Sequence, residues 1–470
     1  MKAMNPPAIQ FLGATRTVTG SKTCVFAGPD LDDRVMIDCG LFQGPKQLRL
    51  RNRASLPVRP DSIGAVLLTH GHLDHCGYLP RMVVDGFAGP VYCTEATAEI
   101  ARIILMDSAH LQEEEARYAN KKGFSKHSPA LPLYTQEDAL RAIDQFRTVP
   151  NHSPHTLSTN ITATFHEAGH ILGSTSIELE LAGGDSPRRI LFSGDVGRYG
   201  APILPDPDSG YDVDTVVMES TYGGRFHGDA DVFEELAKVV NESIERGGVL
   251  LIPAFAVGRT QLLLFALRQL KDQKRIPDIP VHIDSPMAIR VTGTHMNYDD
   301  AIDAETRFLR SEGDKPILPK NLHIHRSVDD SKRLNDVRHN AIIISASGMA
   351  TGGRILHHMA NKLPHKEHTL LFIGYQAVGT RGRTILEGQS HVKIHGTQVP
   401  VRAAVAKIDG FSAHADHDEL LIWLKKFART PDRVFLNHGE DESLEALKTA
   451  VQKELGTKVT IAEYEEKYII

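Results

Sequence analysis

The chain has 470 residues, 41% of them hydrophobic and 24% charged, with a formal net charge of -6 at pH 7. That length exceeds what one core usually holds, so two domains, or one domain carrying a large insertion, are expected. The negative balance excludes a global attraction to polyanions, and any site for one must rest on local positive charge or on metal. Cys24, Cys39, Cys76 and Cys93 stand far apart with no Cys-x-x-Cys spacing, which argues against a disulfide framework and against a thiolate zinc site. Met1 to Gln10 holds no apolar h-region, and nowhere do about eighteen apolar residues run together, so a soluble, cytoplasmic protein with no membrane partner is expected.

In chain order, Ile9–Leu12, Lys22–Phe26 and Arg34–Ile37 read as strands of a β-meander with glycine-containing turns between them. The meander runs into Asp38-Cys39-Gly40, where Asp38 is either a strand-end turn former or a partner that holds a metal-bound histidine. The apolar run Ala65–Leu68 predicts a buried strand, with Thr69-His70-Gly71-His72-Leu73-Asp74-His75 as the loop at its C-terminal end. His70, His72, Asp74 and His75 are the ligand types that zinc accepts at neutral pH, and crowding them on one loop without a cation would cost desolvation for no gain. A His-rich surface loop is the bland alternative.

Val91–Cys93 predicts a strand, residues 96–115 a helix, 116–135 an extended surface excursion, and 136–146 a further helix. Three more apolar strands end in polar groups: Phe165-His166-Glu167-Ala168-Gly169-His170, Ser193-Gly194-Asp195 after Phe192, and Glu219-Ser220-Thr221 after Met218. Loops at one end of a sheet converge, so these residues can share a site. After Gly224 the pattern becomes open α/β, with helices at 231–246 and 258–273 and strands at 248–253, 281–284 and 341–344; strands return after Thr384. Ser345 to Arg354 reads either as a plain glycine turn or as a nest of backbone amides in which Ser347, Gly348 and Arg354 meet a phosphate. Residues 354–407 carry eight Lys or Arg against two acids, which is either a solvated face or a polyanion surface. Ser412-Ala413-His414-Ala415-Asp416 and Asn437-His438-Gly439-Glu440 complete the set of polar clusters.

With these motifs in place the chain resembles the β-CASP nucleases of the metallo-β-lactamase fold, RNA-processing enzymes that include the endonuclease subunit of the cleavage and polyadenylation machinery. Asp38, the His70-x-His72-x-Asp74-His75 run, His170 and Asp195 match the four motifs of the wider family, in order. Glu219, His414 and His438 match the three that the β-CASP branch adds. The resemblance implies an α/β protein, an αβ/βα sandwich over residues 1–222 and 385–470 with an α/β β-CASP domain inserted at 223–384. It implies two zinc ions, one held by His70, His72, His170 and Asp195 and the other by Asp74, His75, Asp195 and His438, Asp195 bridging. It also implies an active-site cleft between the two domains.

Two zinc ions both activate water near neutral pH and neutralise the charge of an in-line displacement, so phosphodiester hydrolysis is the chemistry expected. Asp74, Glu219 and His414 are the expected catalytic residues, His414 as proton donor to the leaving oxygen with Glu219 stabilising its imidazolium. A capped helix-start histidine is the plainer reading of His414 taken alone. The expected function is therefore a zinc-dependent ribonuclease on single-stranded RNA, mainly endonucleolytic with 5′-to-3′ exonuclease activity as an added mode. The resemblance also implies RNA over DNA, because in DNA-cutting members of the branch the third added motif is similar to a valine position, where this chain has His438. A hydrolase of another phosphodiester or small ester, or a silent RNA-binding scaffold, are the competing readings; a homodimer is one assembly left open.

Overall fold

The computed structural model describes residues 6–470 apart from 29, 32, 124–126, 183–186, 229, 230 and 378. Residues 1–5 of the amino-terminal stretch and 124–126 of the expected excursion lie outside the described residues. The chain forms two compact units, one of Met1–Phe226 with His414–Ile470, the other of His227–Ala413.

The first unit holds two seven-stranded sheets. In one, the meander Ala8–Phe11, Thr23–Phe26 and Arg34–Ile37 is antiparallel as expected, and Lys467–Ile469 pairs against its outer edge. From Arg34–Ile37 onward the sheet turns parallel, through Ala65–Leu67, Val91–Cys93 and Phe146–Thr148. In the other, His155–Thr156, Ile161–Glu167, Thr175–Leu181 and Arg188–Phe192 run antiparallel before the parallel set of Arg188–Phe192, Thr215–Met218, Arg433–Leu436 and Lys458–Ile461. Strand Ile161–Glu167 alternates buried and half-buried residues along its length, so one face enters the core and the other does not. Ile161, Ala163 and Phe165 join Ile9, Phe11, Val25 and Val35 of the first sheet in one apolar cluster, which is the sandwich filling. The far face of the second sheet packs on helices His417–Lys425 and Asp441–Leu455, where Trp423 is fully buried and its Nε1 donates to Asp208 O at 3.0 Å.

The first long helix is Glu95–Lys122, capped by Thr94 and closed by Gly123 in the left-handed region. It takes in the first seven residues of the expected excursion, 116–122. Apolar periodicity fades there because the last two turns bury little beyond Ala119, yet helix-forming residues and the Arg117–Glu114 pair carry the helix on. The second helix stops at Ile143, and Phe146–Thr148 forms the edge strand. Among the described residues no helix is long and apolar enough to cross a membrane.

The second unit is built on a six-stranded parallel sheet in the order Leu322–Ile324, Val281–Ile283, Ala341–Ser345, Val249–Pro253, Thr369–Ile373, Ala404–Ile408. Its central strands are buried on both faces, as a parallel sheet covered by helices requires. The unit opens near the expected residue 223 but closes at Ala413 and not at 384. The reason is Ala404–Ile408, which pairs along its whole length with Thr369–Ile373 and completes this sheet; His391–Ile394 and Thr397–Pro400 form a separate hairpin.

Candidate metal centre

Parallel strands point their carboxyl ends the same way, and that places the polar loops of the first unit together. Asp38 follows Arg34–Ile37, the His loop follows Ala65–Leu67, Asp195 follows Arg188–Phe192, Glu219 follows Thr215–Met218 and His438 follows Arg433–Leu436. His70, His72, His170 and Asp195 each bring a ligand atom within 4.8 Å of the others, and so do Asp74, His75 and His438. His72 Nδ1 lies 3.1 Å from His70 Nε2 and 3.3 Å from His170 Nε2. Asp195 stands between the groups, Oδ2 at 3.5 Å from both His70 Nε2 and His170 Nε2, Oδ1 at 3.4 Å from His75 Nε2 and 3.5 Å from His438 Nδ1. His438 Nε2 lies 3.3 Å from His75 Nε2 and 3.7 Å from Asp74 Oδ2.

Hydroxyl and carboxylate partners turn these rings inward. His75 Nδ1 donates to Asp38 Oδ2 at 2.7 Å, which aims Nε2 at the cluster. Asp38 is fixed in turn by Thr69, whose amide donates at 2.8 Å and whose hydroxyl donates at 3.0 Å. With its proton given to Asp38, Thr69 Oγ1 accepts from His70 Nδ1 at 3.0 Å and so presents His70 Nε2. Thr221 Oγ1, 3.1 Å from His438 Nδ1, does the same for that ring. Ser174 Oγ accepts from the His170 amide at 2.9 Å, and the Ser21 amide donates to Asp74 O at 2.8 Å. Asp38 and His438 both sit at positive φ, 58° and 51°, a conformation that only a well-determined surrounding sustains in residues other than glycine.

Burial first, and then the crowd of other imidazoles, drives His70 well below its usual range, so it is neutral and its lone pair is available. Burial alone would lower His75 as well, but Asp195, Asp38 and Asp74 overcome it and push it up to about 10. Asp74, which burial would raise, is held below the usual carboxylate range by His438, His75 and His72. A pocket of this kind attracts a cation. The donor set fits zinc, all imidazole and carboxylate, and Asp195 Oδ1 is buried with no hydrogen-bond partner among the described residues.

Beside Asp195, His414 Nδ1 lies 3.1 Å from Glu219 Oε1. Glu219, which burial would raise, is kept below its usual range by His414. Its own carboxylate accepts from the Val196 amide at 2.8 Å and the Thr221 amide at 3.2 Å, so the acid is anchored to the Asp195 loop. The His414 ring lies 4.3 Å from that of His170. Gly197 lets these segments meet: a Cβ there would stand 2.0 Å from Gly169 O and 2.7 Å from His170 N. Gly197→Ala should therefore displace the His170 loop and weaken metal binding by roughly ten- to a hundredfold. Competition with a chromophoric chelator measures this; unchanged affinity would mean the loop yields without moving His170.

All ten sequence-predicted residues of the first unit, Asp38, His70, His72, Asp74, His75, His170, Asp195, Glu219, His414 and His438, come together. Thr69, Ser21, Ser174 and Thr221 are not among the expected residues, since single hydroxyl residues carry no spacing signature; nearness to the His loop for Thr69, to His170 for Ser174 and to Glu219 for Thr221 is the signal available, and Ser21 has none.

The expected phosphate nest in the second unit is different. Arg354 donates to Asp284 Oδ1 at 2.7 Å, to His325 O at 3.1 Å and to Arg326 O at 2.8 Å, so it ties the interior instead of facing a phosphate. Ser347 Oγ accepts from the amides of Thr351 and Gly352 at 3.0 and 3.4 Å, occupying donors the nest would offer. Gly348 packs against Phe255. Of the eight basic residues in 354–407, Arg354, Lys362, Arg381, Arg383 and Lys407 are engaged by protein carbonyls or carboxylates, which thins the expected basic surface.

Residues 18–223 match the metallo-beta-lactamase superfamily, 260–385 the Beta-Casp domain, and 398–462 the Zn-dependent metallo-hydrolase RNA specificity domain. The chain is 35% identical over 455 residues to Ribonuclease TTHA0252 of Thermus thermophilus, covering 97% of this chain and 98% of the relative. It is 30% identical over 445 residues to Transcription termination factor FttA of Methanocaldococcus jannaschii, covering 92% of this chain and 67% of the relative. The FttA of Methanosarcina mazei is 31% identical over 442 residues, covering 90% and 66%. With a His and Asp cluster suited to holding metal and matches of this extent, the chain belongs to the β-CASP branch of the metallo-β-lactamase superfamily.

Proposed function

We propose that this chain is a zinc-dependent ribonuclease that hydrolyses phosphodiester bonds in single-stranded RNA, acting mainly within the strand. The observation that carries this is the pairing of two ligand groups through Asp195 with the Glu219–His414 dyad beside it. The match of residues 398–462 to an RNA specificity domain and the ribonuclease name of the Thermus relative support RNA as the substrate over a small ester.

His70, His72, His170 and Asp195 would hold one zinc ion, and Asp74, His75, His438 and Asp195 a second. Bound there, zinc supplies Lewis acidity toward a phosphate oxygen and activation of water near neutral pH. The chain's own groups do the rest. Asp38 and Thr69 fix the ring orientations of His75 and His70, so the pocket is arranged before substrate arrives. Glu219 holds His414 at Nδ1 and stabilises its cationic form, and Nε2 is the atom that hands a proton to the departing oxygen.

Protein loaded with zinc should cut an end-labelled single-stranded RNA to internal fragments and leave duplex RNA and single-stranded DNA largely intact. Removal of metal by a chelator should abolish cleavage, zinc should restore it, and elemental analysis should return two ions per chain. Consistent recovery of one ion after zinc supplementation would defeat the two-ion reading; equal cleavage of DNA would defeat the choice of substrate.

A further inference from the structure

The six-stranded sheet of the second unit contains a feature that the metal centre leaves unexplained. From Val249–Pro253 the chain crosses to Val281–Ile283 on one side, and from the adjacent Ala341–Ser345 it crosses to Thr369–Ile373 on the other. Parallel crossovers are right-handed, so connections that leave neighbouring strands in opposite directions pass over opposite faces of the sheet, and their loops part at the carboxyl ends. A crevice between such loops is where open α/β sheets take their ligands.

Phe255 stands on the first of these loops with 36% of its surface exposed. The Arg259 guanidinium lies 4.9 Å from the centre of its ring and is itself tied to Ile373 O, at the end of the next strand, at 2.9 Å. Gly348, on the second loop, meets the ring edge: a Cβ there would fall 2.7 and 2.8 Å from Phe255 Cδ2 and Cε2. Gln376 Nε2 donates to Gly348 O at 3.1 Å and keeps that turn in place. The ring is thus held by an arginine and a side-chain-free turn, with about a third of the residue's surface left exposed. Aromatic rings, often backed by arginine, are the means by which proteins stack unpaired bases.

We propose that Phe255 is a stacking platform for one nucleobase of the RNA strand, with Arg259 as its support. This rests on the ribonuclease reading. Phe255→Ala in the zinc-loaded protein should raise KM for RNA cleavage by roughly five- to a hundredfold, the usual range for losing one base–aromatic stack. Phe255→Tyr and Phe255→Trp should keep the wild-type KM. One abasic position in the RNA should cost the wild type a similar factor and cost Phe255→Ala nothing more. Phe255→Leu serves in its place if the alanine variant does not fold. An unchanged KM, a tyrosine variant as weak as alanine or leucine, or the absence of any coupled abasic position would each overturn the platform. Failure of the wild type to cut RNA at all would instead overturn the ribonuclease reading.

Discussion

Asp74→Ala should lower RNA cleavage by at least roughly a thousandfold while the protein remains folded. Asp74 is the carboxylate of the group it forms with His75 and His438, and its charge is held by the histidines around it. Alanine removes that charge and one ligand atom. It leaves the backbone carbonyl that accepts from Ser21, and it leaves the apolar cluster between the sheets untouched. Circular dichroism and the thermal transition of the zinc-loaded variant should therefore stay close to wild type, while bound metal falls from two equivalents to one. Loss of folded signal would show the metal to be structural, as in domains whose folding is coupled to metal binding. Full cleavage with two ions retained would remove Asp74 from the centre altogether.

His414→Ala should lower the single-turnover rate by about a hundred- to ten-thousandfold, the range typical of a lost general acid. Zinc content should hold, because none of the close ligand groups that contain His70, His75 or Asp195 includes His414. RNA affinity should also hold, since the role assigned to the ring is proton transfer and not contact with the strand. The defect should shrink on a p-nitrophenyl phosphodiester, whose leaving phenolate needs no proton. Glu219→Gln should show part of the same pattern, because it removes the charge facing His414 Nδ1 at 3.1 Å. Equal losses on RNA and on the aryl ester, or loss of zinc, would make His414 a positioning residue or a ligand.

Residues on the loops that follow strands were readable in advance because their chemistry and their place coincide. An apolar strand followed by His, Asp or Glu announces both a loop and a candidate ligand, and parallel neighbours then bring such loops to one end. The two readings of Asp38 do not conflict in geometry, for it ends a strand at positive φ and also accepts from His75, a candidate ligand. Arg354 was misread for a physical reason. A glycine-rich turn before an arginine looks like a phosphate cradle, but the partner that draws the guanidinium inward is Asp284, seventy positions away and at the end of another strand. The late end of the second unit has the same origin: strand pairing between Ala404–Ile408 and Thr369–Ile373 is long-range and leaves no local mark. Helix Glu95–Lys122 outran its expected end because propensity, and not burial, sustains its final turns.

The order in which the first unit is completed bears on the protein's synthesis. Its last strands come from the end of the chain: Arg433–Leu436 beside Thr215–Met218, and Lys467–Ile469 beside Ala8–Phe11. A chain that has been made only as far as Phe226 carries six of the seven proposed ligands, but it has two uncovered sheet edges and lacks His438 and His414. Such edges invite pairing with other chains, and contacts spanning this much sequence form slowly. The proposed centre therefore stays incomplete until the segment carrying His414 and His438 has been made, and a product truncated before it should be an aggregation hazard more than a stray ribonuclease.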